Sequence, residues 1–153
     1  MQLTRRAEFS ASHVCRNPAL SDTENEAIYG ANANRNGHGH NFVLEVTIEG
    51  DPDPVTGMVF DLRALKEIIN AEVVDPMDHR FLNHEVPPFD RVIPTTENIA
   101  VEIWNRLRQR INLSNAVPNA KLKNVRLFET ADLYVDYAGE DREATSRLSG
   151  LAI

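Results

Sequence analysis

The chain has 153 residues, 42% hydrophobic and 25% charged, enough for one domain with a real core and too ordinary in composition for a disordered or collagen-like protein. Its net charge of −7 gives no electrostatic footprint for nucleic acid or an anionic membrane, and any anionic ligand needs a local basic pocket. One cysteine, Cys15, excludes an intramolecular disulfide; no apolar run approaches the ~20 residues of a membrane span, and Met1–Arg6 lacks the apolar core of a signal peptide, so a reducing cytoplasm is the expected setting.

From Leu3 to His13 the odd positions carry Leu3, Ala7, Phe9, Ala11 and His13, with Arg5 the exception, against polar even positions. That period of two predicts a half-buried strand ending in an imidazole. Val14 to Asn36 is long, polar and rich in Asn, which reads as a functional loop. A second alternating run follows from His38, with His38, His40, Phe42, Leu44, Val46 and Ile48 on one face. Residues two apart in a strand lie roughly 7 Å apart on the same side, so the two imidazoles aim at one point. Gly37 and Gly39 leave room for an approaching group. Alone, an H-x-H pair reads equally as a strand end bonded to backbone. Pairing the two strands antiparallel adds His13, and three imidazoles then suit a metal, with the fourth position open if that metal is catalytic.

Gly50 to Gly57 is dense in turn formers, and Asp61 caps a predicted helix bearing Leu62, Leu65, Ile68, Ile69 and Val73. Pro76 should stop it near Val74. Residues 75–94 form a connector holding Asp78-His79. Thr95 or Thr96 caps a second helix with Glu97 in its first turn and a buried stripe of Ile99, Ala100, Ile103, Trp104, Leu107 and Ile111. Two further strands are expected, with Val125, Leu127 and Glu129 on one face and Leu133, Val135 and Tyr137 in the other strand. The order ββααββ predicts an α+β domain over residues 1–139, a four-stranded antiparallel sheet with two helices on one face. Its two free edges favour a closed oligomeric barrel. Residues 140–153 read as a C-terminal tail.

Phe9-Ser10-Ala11-Ser12-His13, Gly37-His38-Gly39-His40-Asn41, Gly57-Met58-Val59, Asp78-His79, Thr95-Thr96-Glu97-Asn98 and Glu129-Thr130 stand in that order. In this the chain resembles the 6-pyruvoyl-tetrahydropterin synthase family, which also includes the 6-carboxytetrahydropterin synthases of queuosine biosynthesis. The resemblance implies a tunnelling fold: three sheets join into a twelve-stranded barrel, and two trimers stack into a homohexamer with active sites between subunits. It implies Zn2+ held by His13, His38 and His40, a pterin ring anchored by Glu129 with Thr95 and Thr96, and Asp78-His79 as the proton-transfer pair. The implied reaction is that of a lyase on 7,8-dihydroneopterin triphosphate, eliminating triphosphate and rearranging the side chain.

One position departs from the pattern. The family places its principal base, a cysteine, six residues before the first histidine of the H-G-H pair, and here that position is Asn32. An amide is not basic. Cys15 is a possible substitute base, acidified by zinc, and Glu24 or Glu26 could fold in from the loop. The alternatives are a carboxytetrahydropterin synthase, a homologue that cleaves the side chain for the folate pathway, and a non-catalytic pterin-binding oligomer. No H-E-x-x-H helix points to an unrelated zinc hydrolase. For the triphosphate, Arg16, Arg35, Arg80 and Lys66 are candidates.

Overall fold

In the computed structural model, which describes residues 1–114 and 120–139, the two alternating runs are antiparallel strands β1 (Gln2–His13) and β2 (His38–Glu49). Their register runs from Gln2 opposite Glu49 to His13 opposite His38. Phe9, Ala11, Phe42, Leu44, Val46 and Ile48 are all buried on one face, each large side chain contributing about 1.5–3 kcal/mol by leaving water. The other face is polar, with Thr4 and Thr47 sharing a hydroxyl hydrogen bond of 2.8 Å.

The polar stretch expected as a loop contains helix α1 (Asp22–Tyr29) and a 3-10 turn, Gly30–Ala33. Its start was encoded by a capping box: the Ser21 hydroxyl accepts the Glu24 N–H while the Glu24 carboxylate accepts from Ser21. Asn25 is fully buried, and its amide bonds to Asn17, Leu20 and Ser21 backbone groups. Those bonds close the loop before it.

Helix α2 (Leu62–Ile69) starts where expected, the Asp61 carboxylate accepting the Arg63 and Ala64 N–H groups. It does not end at Val74. The chain passes through a π-helical turn, Asn70–Val74, into a short α3 (Asp75–Met77), and Pro76 opens that new turn, where no N–H is required of it. Val73 and Met77 both stay in the core, whereas Leu62, expected on the buried stripe, is half exposed. Strand β3 (Arg80–Phe81) and α4 (Leu82–Glu85) follow. Helix α5 (Thr96–Leu113) is capped by Thr95 and buries the whole expected stripe.

Strands β4 (Lys121–Phe128) and β5 (Tyr134–Tyr137) complete the sheet. Its order is β3-β1-β2-β4-β5, so it has five strands and is mixed, correcting the four-stranded antiparallel expectation. The addition is β3, parallel to β1 at Ala11 and Ser12. Two residues are too short to show a period of two. Val125 lies opposite Tyr137 and Leu127 opposite Val135; Leu133 falls before β5 and is half exposed. Helices α2 and α5 cover one face, and the apolar cluster lies between them and the sheet. The expected tail lies outside the described residues.

Candidate active site

The register that buries Phe9 and Phe42 also sets His13 directly opposite His38 and His40 opposite Ala11. The three rings converge, with centroids 4.4 Å (His13 to His38), 5.2 Å (His13 to His40) and 4.9 Å (His38 to His40) apart. One nitrogen from each lies within 4.8 Å of the others, the sole such cluster of three or more His, Cys, Asp or Glu groups among the described residues. His13 is 1% exposed, and its Nδ1 lies 2.7 Å from the Pro94 carbonyl. A carbonyl can only accept, so Nδ1 carries the proton and Nε2 keeps its lone pair.

That Nε2, both ring nitrogens of His38 and the Nε2 of His40 are buried without a hydrogen-bond partner. Buried polar atoms in folded proteins are nearly always satisfied, and orphans on three converging rings, one nitrogen of each within 4.8 Å of the others, call for a ligand. Burial pushes His13 below its usual value of 6.5, against the Pro94 bond, which pulls upward; the neighbouring imidazoles lower it further. His38 is lowered by burial and then by His40. Three converging neutral imidazoles are the donor set that suits a tetrahedral Zn2+ with three protein ligands.

Beside the triad stands Glu129, its side chain 12% exposed, just past the end of β4. The Thr96 hydroxyl donates to its Oε2, while Oε1 sits 3.4 Å from His40 Nε2 without hydrogen-bond alignment. Thr96 is itself buried at the first turn of α5. Thr95 is committed to the helix: its hydroxyl accepts the Asn98 N–H. The structure therefore brings Thr96, and not the Thr95 hydroxyl, against the carboxylate.

Asp78-His79 sits at the outer edge of β1. The Asp78 Oδ1 accepts the Ser10 N–H at 2.8 Å and its Oδ2 takes His79 Nδ1 at 2.8 Å, while the His79 N–H donates to the Ser10 carbonyl at 2.6 Å. These bonds hold His79 at φ +57°, a conformation that non-glycine residues keep only under constraint. The Ser10 bond, then His79, holds the Asp78 carboxyl below its usual value. The His79 ring is 82% exposed and borders a cleft of about 550 Å³ whose lining includes Ser10, Ser12, Gly39 and Asn41 and reaches the triad at His40.

Cys15 lies just past the end of β1. Its N–H donates to the Asn32 carbonyl at 2.9 Å, and its Sγ is 3.7 Å from the same Pro94 oxygen that His13 uses. Burial, then Glu129 and Glu97, pushes the thiol up to about 11. Asn32 is exposed, Glu24 is occupied by its cap, and Glu26 lines a separate hollow with Arg16, Asp22 and Arg35. Arg16 and Arg35 both pair with Asp22, Arg80 pairs with Glu85, and Lys66 lies exposed on α2. The structure does not gather these four cations. The Pro94 carbonyl had no signal in the sequence, since any residue type can supply a backbone oxygen.

A family model described as 6-pyruvoyl tetrahydropterin synthase matches residues 2–140. The chain belongs to that family. The 6-pyruvoyl tetrahydrobiopterin synthase of Pongo abelii is 44% identical over 139 residues, covering 91% of this chain and 92% of that protein. The solved structure of Caenorhabditis elegans 6-pyruvoyl tetrahydropterin synthase superposes with a TM-score of 0.83 at 35% identity, over 92% of this chain and 96% of that one. An archaeal relative, the dihydroneopterin monophosphate aldolase of Pyrococcus furiosus, is 38% identical over 131 residues, 86% of this chain and 91% of its own length. As a member of the 6-pyruvoyl tetrahydropterin synthase family the chain has its mixed α+β fold, and no described helix is long and apolar enough to cross a membrane.

Proposed function

We propose that the chain is a zinc-dependent cytoplasmic lyase of the 6-pyruvoyl-tetrahydropterin synthase type, acting on 7,8-dihydroneopterin triphosphate as a homohexamer with active sites between subunits. The observation that carries this is the set of orphaned nitrogens on His13, His38 and His40 beside the Glu129 carboxylate. His13, His38 and His40 would hold Zn2+, which when bound supplies Lewis acidity toward the side-chain hydroxyls and so acidifies the adjacent C–H groups. Glu129, with Thr96 fixing one oxygen, presents acceptors to the 2-amino and ring N–H edge of a pterin. Thr95 supports that pocket by starting α5 in the right place.

His79 carries protons. Asp78 holds His79 Nδ1, so the exposed Nε2 is the working nitrogen, and the carboxylate stabilises the imidazolium that forms. Cys15 has less in its favour: a thiol held to about 11 is mostly protonated at neutral pH, and its sulfur faces Pro94.

A second reading has its own support. Asn32 lacks basicity, and the Pyrococcus furiosus relative is named an aldolase. Cleaving the C1′–C2′ bond of the side chain asks for a proton from a hydroxyl rather than from carbon, a lighter demand on a weak base. One experiment separates these. Zinc-loaded protein is incubated with 7,8-dihydroneopterin triphosphate, and products are resolved by mass spectrometry beside Asn32→Cys and Cys15→Ala variants. Release of triphosphate with 6-pyruvoyl-tetrahydropterin, undiminished in Cys15→Ala, is the expected result. Formation of 6-hydroxymethyl-dihydropterin selects the cleavage reading. Turnover confined to Asn32→Cys makes the natural chain a pterin binder.

A further inference from the structure

His13 is the last residue of β1 that β2 pairs. A metal ligand at the end of a ladder would be free to fray, yet the chain beyond it is held. The side-chain amide of Asn83, from α4, takes both backbone groups of Val14: its Oδ1 accepts the Val14 N–H at 2.8 Å, and its Nδ2 donates to the Val14 carbonyl at 3.0 Å. An amide plane offers one acceptor and one donor side by side, as a peptide in a neighbouring strand does. Strand β3 pairs with β1 at Ala11 and Ser12, so Asn83 continues that edge after the backbone has turned into α4. Val14 is 6% exposed, which leaves water a poor substitute for either bond. From other directions the Pro94 carbonyl holds His13 Nδ1 and the Asn32 carbonyl holds the Cys15 N–H.

We propose that Asn83 is a positioning residue for the metal: through Val14 it fixes where the His13 Nε2 points. The inference rests on reading the triad as a zinc site. Asn83 makes no hydrogen bond to His13, His38 or His40, so its effect on the metal must pass through the backbone of Val14. Ligand geometry must hold to about 0.5 Å, and losing the partner that orients a ligand costs 10–100-fold in affinity.

The test is the zinc dissociation constant from competition with a chromophoric chelator, alongside thermal unfolding of the metal-free proteins. Asn83→Ala is expected to weaken zinc about tenfold or more. Asn83→Asp, isosteric and still able to accept from Val14 N–H, sets an oxygen against the Val14 carbonyl in place of a donor and should weaken zinc as well. Ile103→Val, in the core of α5, should lower the unfolding temperature and leave zinc affinity unchanged. Asn83 variants with wild-type affinity, or with no greater loss than Ile103→Val at equal destabilisation, overturn the positioning role. If His13→Ala loses zinc while the Asn83 variants keep it, the metal reading stands and this inference alone falls. If wild-type protein binds no zinc, both fall.

Discussion

His38 and His40 were legible as a pair because a strand's period of two is strict, and the neighbouring apolar positions said which face they share. His13 joined them through the same logic in β1, and the two strands met in the register that puts it opposite His38. The glycines beside them make room for the chain itself and not for the approaching group expected: a Cβ on Gly37, at φ +77°, would come within 3.1 Å of the Phe81 ring, and one on Gly39 within 3.2 Å of the Ala11 carbonyl. Glu129 was singled out through the family pattern; its geometry adds that Thr96 holds one oxygen, which keeps a second lone pair, and leaves the other toward His40. A neutral amide at 129 could accept on one side only, and its N–H groups would face the pterin's own donors. Glu129→Gln is therefore expected to cost about 1.5–3 kcal/mol of pterin affinity, roughly ten- to a hundredfold, with zinc binding kept. Titration of neopterin fluorescence, with metal content assayed in parallel, checks it; wild-type affinity would remove Glu129 from the pterin pocket.

Among elements, long periodic segments were readable and short or interrupted ones were not. The stripe of α5 and the start of α2 follow from spacing and caps. The π turn that carries α2 past Val74 does not, because its stability comes from keeping Val73 and Met77 in the core together. Helix α1 was readable after all from Ser21-x-x-Glu24, a signal masked by polar composition. Strand β5 is four residues long and pairs only with β4 in the described chain. It is pinned on its polar side by Asp136, which accepts Arg126 Nε and Nη2 at 2.8 Å each and the Asn124 amide at 2.9 Å. Arg126, then Asn124, holds the Asp136 carboxyl below its ordinary 3.8. A carboxyl depressed by folding stabilises the native state at pH values above its unfolded pKa, and that contribution fades as pH falls through the folded one. The pair is partly exposed, so Asp136→Asn should cost only about 0.5 kcal/mol at neutral pH. The deficit should shrink below pH 4. Urea unfolding at pH 7 and near pH 3.5 measures both; a deficit that grows on acidification would contradict the assignment.

At the scale of the whole molecule, the proposed site has two parts, the metal triad and the Asp78-His79 pair. The triad faces the side of the sheet that carries the core, whereas Asp78-His79 is fastened to Ser10 on the β1 edge and presents an exposed imidazole to a cleft that His40 also lines. Proton transfer needs heavy atoms about 3 Å apart. An exposed imidazole on a sheet edge is free to serve the triad of another copy, which is also what joining free sheet edges around a barrel would achieve. No feature of a single sequence states which copy a residue serves, so the expectation of a shared site comes only from family likeness. The consequence is a complementation. His79→Ala and His38→Ala are each expected to be inactive. Unfolded together and refolded as mixed oligomers, they should recover activity, because some interfaces then combine an intact triad with an intact His79. Mixtures that stay inactive, while native mass spectrometry with one variant isotope-labelled shows the two in shared oligomers, would place the triad and His79 within one chain's site. A monomeric mass at micromolar concentration would remove the assembly on which the exchange depends.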